Sequence, residues 1–150
     1  MSRIVLSFAG VLMAGCSTVT SPHAVARNTA PDAVLHALWQ WEATVTPNDT
    51  CAVPTPERYT LHFLPEGNVE ARFDCNRGGG SYAISNGTLS FGPMIATRMA
   101  CPPDSLDGRY MEGLQHVAAF FIEGDELHLQ LSDDGGTMRF RRHDEPAHTD

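Results

Sequence analysis

Four cysteines and a run of three glycines are the residues whose types could do chemistry in this chain. Cys75 precedes the triplet in "FDCNRGGGSY", Cys101 ends "IATRMAC", Cys51 follows "TPNDT", and Cys16 closes "LMAGC". A glycine run beside a cysteine can cradle phosphate, help form a metal or redox site, or relieve crowding beside a crosslink. A phosphate loop needs G-x-x-x-x-G-K-[ST] between a strand and a helix. Gly78, Gly79 and Gly80 are instead followed by Ser81 and Tyr82 in a strand-like run, and the chain contains no lysine. The triplet therefore reads as a bend between strands, where glycine relieves steric limits. Structural zinc usually takes closely spaced Cys and His pairs. Here no C-x-x-C or H-x-x-x-H occurs, and His62 and His128 fall on the polar parity of their strands, so no metal or cofactor is expected. A catalytic thiol needs a lowered pKa and a partner base. Cys75 shares the parity of Val69, Ala71 and Phe73, an apolar setting, and no motif places a histidine beside it. No enzyme chemistry is expected.

The N-terminus explains what the sulfurs do instead. "MSRIVLSFAGVLMAGCST" has Arg3, an apolar run from Ile4 to Met13, and small residues up to Cys16. This is the layout of a secretory signal over residues 1–15, too short to span a bilayer at about 20 apolar residues. "LMAGC" resembles a bacterial lipobox, with Met13 where leucine is commonest, and this makes Cys16 the expected lipidated first residue. Ala24-Val25-Ala26 is a rival cleavage site but lies far past the apolar run. Residues 16–33 are polar, small and proline-punctuated, as a flexible tether is. Residues 143–150 read as a disordered tail. The folded unit is expected over 34–142. Export exposes the other thiols to an oxidising compartment. With Cys16 lipidated, three remain, and spacing alone does not choose which two pair.

The elements follow from periodicity. Trp39, Trp41, Ala43 and Val45 share one strand face; Tyr59, Leu61 and Phe63 share another; Val69, Ala71, Phe73 and Cys75 a third. "PEGN" at 65–68 and Asn86-Gly87 are hairpin turns. Between Pro103 and His116 the period changes: Leu106, Tyr110, Leu114 and Val117 define one helical face, with Asp104 or Ser105 as cap. Strands return through "FFIEGDELHLQLSDDGGTMRFRR", where Leu127, Leu129 and Leu131 are answered by Met138 and Phe140. The sum is an α+β fold, a curved antiparallel sheet packed on one helix. The formal net charge of −8, with ten scattered arginines as the only Lys or Arg residues, lacks the basic footprint of a nucleic-acid binder.

Several segments in order resemble the META domain family of HslJ-like bacterial heat-shock and envelope proteins. The match covers about residues 37–141: Cys75-Asn76; Thr97, Met99, Ala100 and Cys101; Asp107 and Tyr110; and Gly124, Asp125, Leu127 and Leu129. Ala71 and Asp74 stand where that family usually has glycine. The resemblance implies an open, incomplete barrel and pairs the segments bearing Cys75 and Cys101, leaving Cys51 as the odd thiol; Cys51–Cys75 stays open as the other pairing. It also implies a non-catalytic envelope protein, expected as a monomer; with Cys16 lipidated and Ser17 rather than aspartate after it, the expected anchor site is the outer membrane, facing the periplasm. Such a protein would serve stress tolerance or envelope maintenance by contacting an envelope protein. A similarity to secretion-pilot lipoproteins suggests the alternative of a carrier holding an acyl chain or hydrophobic peptide in an apolar groove. Asp74, Asn76 and Arg77 form the least bland polar cluster and are the candidate binding turn.

Overall fold

The structure is a computed structural model that describes residue 34 and residues 37–143. The expected signal, tether and lipidated Cys16 lie outside the described residues, as do residues 144–150 of the expected tail. Among the described residues ten strands form one antiparallel sheet: β1 (Leu38–Val45), β2 (Thr50–Ala52), β3 (Tyr59–Phe63), β4 (Asn68–Phe73), β5 (Asn76–Ser85), β6 (Thr88–Phe91), β7 (Ile95–Ala96), β8 (Val117–Glu123), β9 (Glu126–Leu131) and β10 (Thr137–His143). The α-helix α1 (Asp107–Gln115) interrupts them before β8, and a short 3-10 turn, Pro56–Arg58, precedes β3.

The sheet closes on itself, which corrects the expected open, incomplete barrel. Neighbours run β10-β9-β8-β6-β5-β4-β3-β1, and β1 then pairs with β10. Eight strands thus complete an antiparallel barrel, with β2 and β7 attached outside the ring. The closing ladder is long, from Leu38 opposite His143 to Val45 opposite Thr137, with a register shift between Trp41 and Ala43. A bulge of this kind bends a strand and increases its twist, as closure requires. Across the same seam the Arg141 guanidinium holds Glu42 through Nε–Oε1 at 2.6 Å and Nη2–Oε2 at 3.3 Å. Hydrogen bonding and the charge of Glu42 raise the Arg141 pKa further above its ordinary value. Alternation places side chains in or out of a sheet, but it does not say whether the first and last strands meet; that pairing is 99 residues apart in the Glu42–Arg141 contact.

The inward faces are those expected. Trp39, Trp41, Tyr59, Leu61, Phe63, Phe73, Leu127, Leu129, Met138 and Phe140 are all 2 % exposed or less. Each large apolar side chain so buried contributes roughly 1.5–3 kcal/mol. Tyr110 and Leu114 of the expected helical face are fully buried on α1, and Val117, which belongs to β8 and not to the helix, is nearly so. Tyr110 forms the hub of the core: its ring stacks on Trp41 at 5.0 Å between centroids and meets Tyr59 edge-on at 5.7 Å. Phe73 and Phe140 lie at 5.6 and 6.1 Å. The cap differs from expectation. Leu106 is the N-cap residue and offers no side-chain cap; Ser105 Oγ accepts from the Asp107 amide at 3.2 Å.

Two polarity readings also change. His128 is 8 % exposed rather than solvated, because its ring lies flat on Phe121 at 4.4 Å. Cys75 does not continue the inward face of β4. Phe73 pairs with Asn76, so Asp74 and Cys75 form a two-residue turn, and Asp74 adopts φ +60°. Aspartate is among the few non-glycine residues that accept this left-handed conformation readily.

The Tyr110 hydroxyl is buried without a hydrogen-bond partner, and burial pushes its pKa well above the ordinary value of 10.0. Tyr110→Phe should therefore leave the urea midpoint unchanged or raise it, since an unsatisfied buried hydroxyl is a cost. Tyr110→Ala should lose about 3–5 kcal/mol. The pH dependence has a definite sign. Above pH ~10 tyrosine in the unfolded chain ionises first, so wild-type stability should fall with rising pH. Tyr110→Phe should remove that part of the fall in alkaline denaturation curves.

Candidate functional site

The chain between β6 and α1 leaves the barrel wall. Its residues Pro93–Cys101 form a strap laid against the start of β5, and both the glycine triplet and the cysteine-bearing turn hold it. β7 pairs with β5 through Ala96 opposite Gly78 and Ile95 opposite Gly79. The triplet is thus strand interior, not a bend. A Cβ at Gly78 would collide with the Ile95 carbonyl oxygen, one at Gly79 with the Val69 carbonyl oxygen, and one at Gly80 would stand 2.8 Å from that of Pro93. The glycines are there because backbone approaches on both sides.

Below β7 the ladder continues by substitution. The Thr97 amide donates to Arg77 O at 3.0 Å, and the Arg77 amide donates to Thr97 Oγ1 at 3.1 Å. At Met99 the Asn76 side chain takes over as a peptide mimic. Its Oδ1 accepts from the Met99 amide at 2.8 Å, while its Nδ2 donates to Met99 O at 3.1 Å. Oδ1 also accepts from Thr97 Oγ1 at 2.9 Å. The strap then ends in a disulfide between Cys75 and Cys101, which is the pairing the resemblance implied.

Asp74, next in the same turn, sets the other wall. Its carboxylate is buried and ion-paired with Arg58. Tyr59 links it to the helix: the Tyr59 hydroxyl lies 3.5 Å from Asp74 Oδ2 and accepts from the Leu106 amide at 2.8 Å. Asp74 and Asn76 therefore have their polar atoms engaged inside the protein. Arg77 is exposed and points elsewhere, to a shallow depression of about 410 Å³ with His62, Glu70 and Arg72. The structure brings the first two together and not the third.

Between strap and helix lies an open cleft of about 820 Å³. Met94, Ala96, Arg98 and Met99 line one side, Asp107, Met111 and Glu112 the other, with Phe73 and Asn76 also in its lining. Ile95 is 78 % exposed and Met99 60 %. Apart from Asn76, sequence reasoning marked none of these cleft residues as a binding site; the signal it had was three apolar side chains, Met94, Ile95 and Met99, in a proline-flanked segment with no hairpin partner. A second depression, about 400 Å³, holds the free Cys51 with Arg109 Nη1 2.8 Å from its sulfur. His116 lines it too, but no hydrogen bond joins His116 to the thiol. Among the described residues no cluster of three or more His, Cys, Asp or Glu could hold a metal ion.

The META domain model matches residues 34–145, and the chain belongs to this family. Among solved structures it is similar to the NMR structure of a protein from Burkholderia xenovorans, 29 % identical, with TM-score 0.64 over 76 % of this chain and 86 % of that one. A DUF4847 family protein from Bacteroides vulgatus shares the fold at 10 % identity, TM-score 0.59, over 77 % of this chain and 98 % of that one. A further NMR structure is 23 % identical with TM-score 0.55, over 75 % of this chain and 93 % of that one. No curated protein matches.

Two substitutions separate the strap's restraints. Asn76→Ala should cost about 1–3 kcal/mol, because it strands the Met99 amide and carbonyl. It should also speed amide hydrogen exchange at Thr97 and Met99. Cys101→Ser should lower the stability by roughly 3–4 kcal/mol through loss of loop closure. Exchange at Met99 should rise less in Cys101→Ser than in Asn76→Ala, since the Asn76 amide still holds the strap.

Proposed function

We propose that this META domain is a non-catalytic envelope protein, anchored by lipid on Cys16 at the outer membrane and facing the periplasm. There it works through protein contacts in stress tolerance or envelope maintenance. The observation that supports this most is where the polar groups are committed. Asp74, Asn76, Cys75 and Cys101 all hold the strap and helix in place, leaving an outer cleft edged by exposed Ile95 and Met99 as the surface on offer. Ligand sites commonly occupy roughly 300–1,000 Å³, and the cleft falls in that range at about 820 Å³. The carrier alternative is less well supported, since Trp41, Tyr59 and Tyr110 pack against one another in the barrel interior where an acyl chain would lie. The anchor rests on the "LMAGC" segment. Multiple acylation gives stable membrane attachment where a single chain does not.

Intact mass of the chain recovered from a bacterial host should show an acylated N-terminal Cys16 and loss of residues 1–15. Cys16→Ala should move the protein out of the membrane fraction. A deletion strain should grow worse than its parent on heating or with a hydrophobic antibiotic, and the wild-type chain should restore it where Cys16→Ala does not. A recovered chain that keeps Met1, or equal growth of deletion and parent, would count against the proposal.

A further inference from the structure

The outer edge of the strap is an unfinished β-ladder. Hydrogen-bonding directions alternate along an antiparallel strand. Thr97 bonds to Arg77, and Met99 bonds to the Asn76 amide, so these odd-numbered residues, with Ile95 opposite Gly79, turn their backbone groups toward β5. Ala96, one residue off that alternation, therefore turns its amide and carbonyl away from β5, and Ala96 and Arg98 both line the cleft beside α1. Among the described residues β7 pairs with β5 and with no other strand. Such edges are ordinarily blunted by charge, proline or covering structure. Pro93 stands just before this one, yet Ile95 is 78 % exposed on it.

We infer that the cleft binds an extended segment of a partner protein, which adds as a strand alongside Ala96–Arg98 and packs between the strap and α1. This rests on the protein-contact reading and names its surface and its ligand class. Strand addition takes affinity from main-chain hydrogen bonds and specificity from the side chains that flank them. Met94, Met99 and Met111 supply flanking contacts that are apolar and adaptable, as thioether side chains are. Charge selects among segments. The lining carries Asp107 and Glu112 against the single Arg98, in a chain whose formal net charge is −8. The favoured ligand alternates apolar residues with Lys or Arg, and acidic segments are excluded.

The probe is a phage-displayed random heptapeptide library panned on the full mature chain, followed by fluorescence anisotropy with the enriched peptide. Apolar–basic alternation should emerge. N-methylation of the amides on one edge of the peptide should weaken binding at least tenfold while methylation on the other edge does not. Ala96→Pro removes an outward amide and should weaken binding at least tenfold, with the disulfide and circular dichroism unchanged. Glu112→Arg should weaken the basic peptide and improve its Glu analogue. No enrichment, equal binding of both N-methylated forms, or self-association of the chain abolished by Ala96→Pro would each overturn the inference, the last in favour of a second copy as occupant. In the deletion strain, full rescue by Ala96→Pro would reject the groove while leaving the envelope reading intact. Failure of the wild-type chain to rescue would instead reject that reading.

Discussion

One tight hairpin, with Asp74 in its turn and Asn76 directly after it, fixes both the strap and the approach to α1. Each residue turns a side chain to a different neighbour. Asp74 reaches Tyr59, whose hydroxyl receives the first amide ahead of α1, and Asn76 pairs with Met99 as a backbone amide would. The first sets the helix and the second sets the strap, so the width of the cleft between them is determined by a two-residue hairpin loop. That loop is itself specified by its register, Phe73 opposite Asn76, and by an aspartate that accepts positive φ. Asp74 is buried while the Arg58 side chain is 32 % exposed, so the ion pair is one-sided: removing Arg58 leaves a buried carboxylate without its counter-charge, whereas Arg58 keeps access to water.

Much of this was legible in the sequence, and the reasons are local. Inward parity on β1, β3, β4, β9 and β10 follows from alternation, and the buried face of α1 follows from the spacing of Tyr110 and Leu114. The Asn86–Gly87 turn is visible because both residues take positive φ. Barrel closure is not local. It depends on β1 meeting β10, on a bulge between Trp41 and Ala43, and on a Glu42–Arg141 contact across nearly the whole domain. No pattern within either strand encodes the meeting. His128 illustrates the same limit at one residue, since the polar parity of β9 holds but Phe121 covers it.

The site was legible in its residues and not in their work. The turn Asp74–Arg77 stood out as polar and compact and suggested a binding turn, and the glycine triplet stood out as unusual and suggested a bend. In the structure they form the seat of a second backbone. Glycine in a strand has two common meanings, a bend and a close approach, and sequence offers no choice between them. Only the strap, further along the chain, decides it: Ile95 against Gly78, Pro93 against Gly80. Met94 and Met99 carried even less signal, since an isolated Met in a loop has no parity to break.

The two restraints on the strap act on different states, and this separates their roles. The Cys75–Cys101 crosslink stabilises mainly by limiting the unfolded chain, an effect of roughly 3–4 kcal/mol for a separation of 26 residues. It ties down one end of the strap and says little about where Ile95 or Ala96 lies. Asn76 contributes less in total, with about 1 kcal/mol net for each hydrogen bond. Yet its bonds fall at the Thr97 hydroxyl and the Met99 backbone, on either side of Arg98, and they hold that stretch of the strap against β5. The crosslink thus preserves the fold, while the weaker hydrogen bonds of Asn76 dictate the presented edge. A covalent bond at the base and a directional amide at the middle together keep a nearly unsupported strand in register, where the two ladder pairs of β7 would be too few to hold it.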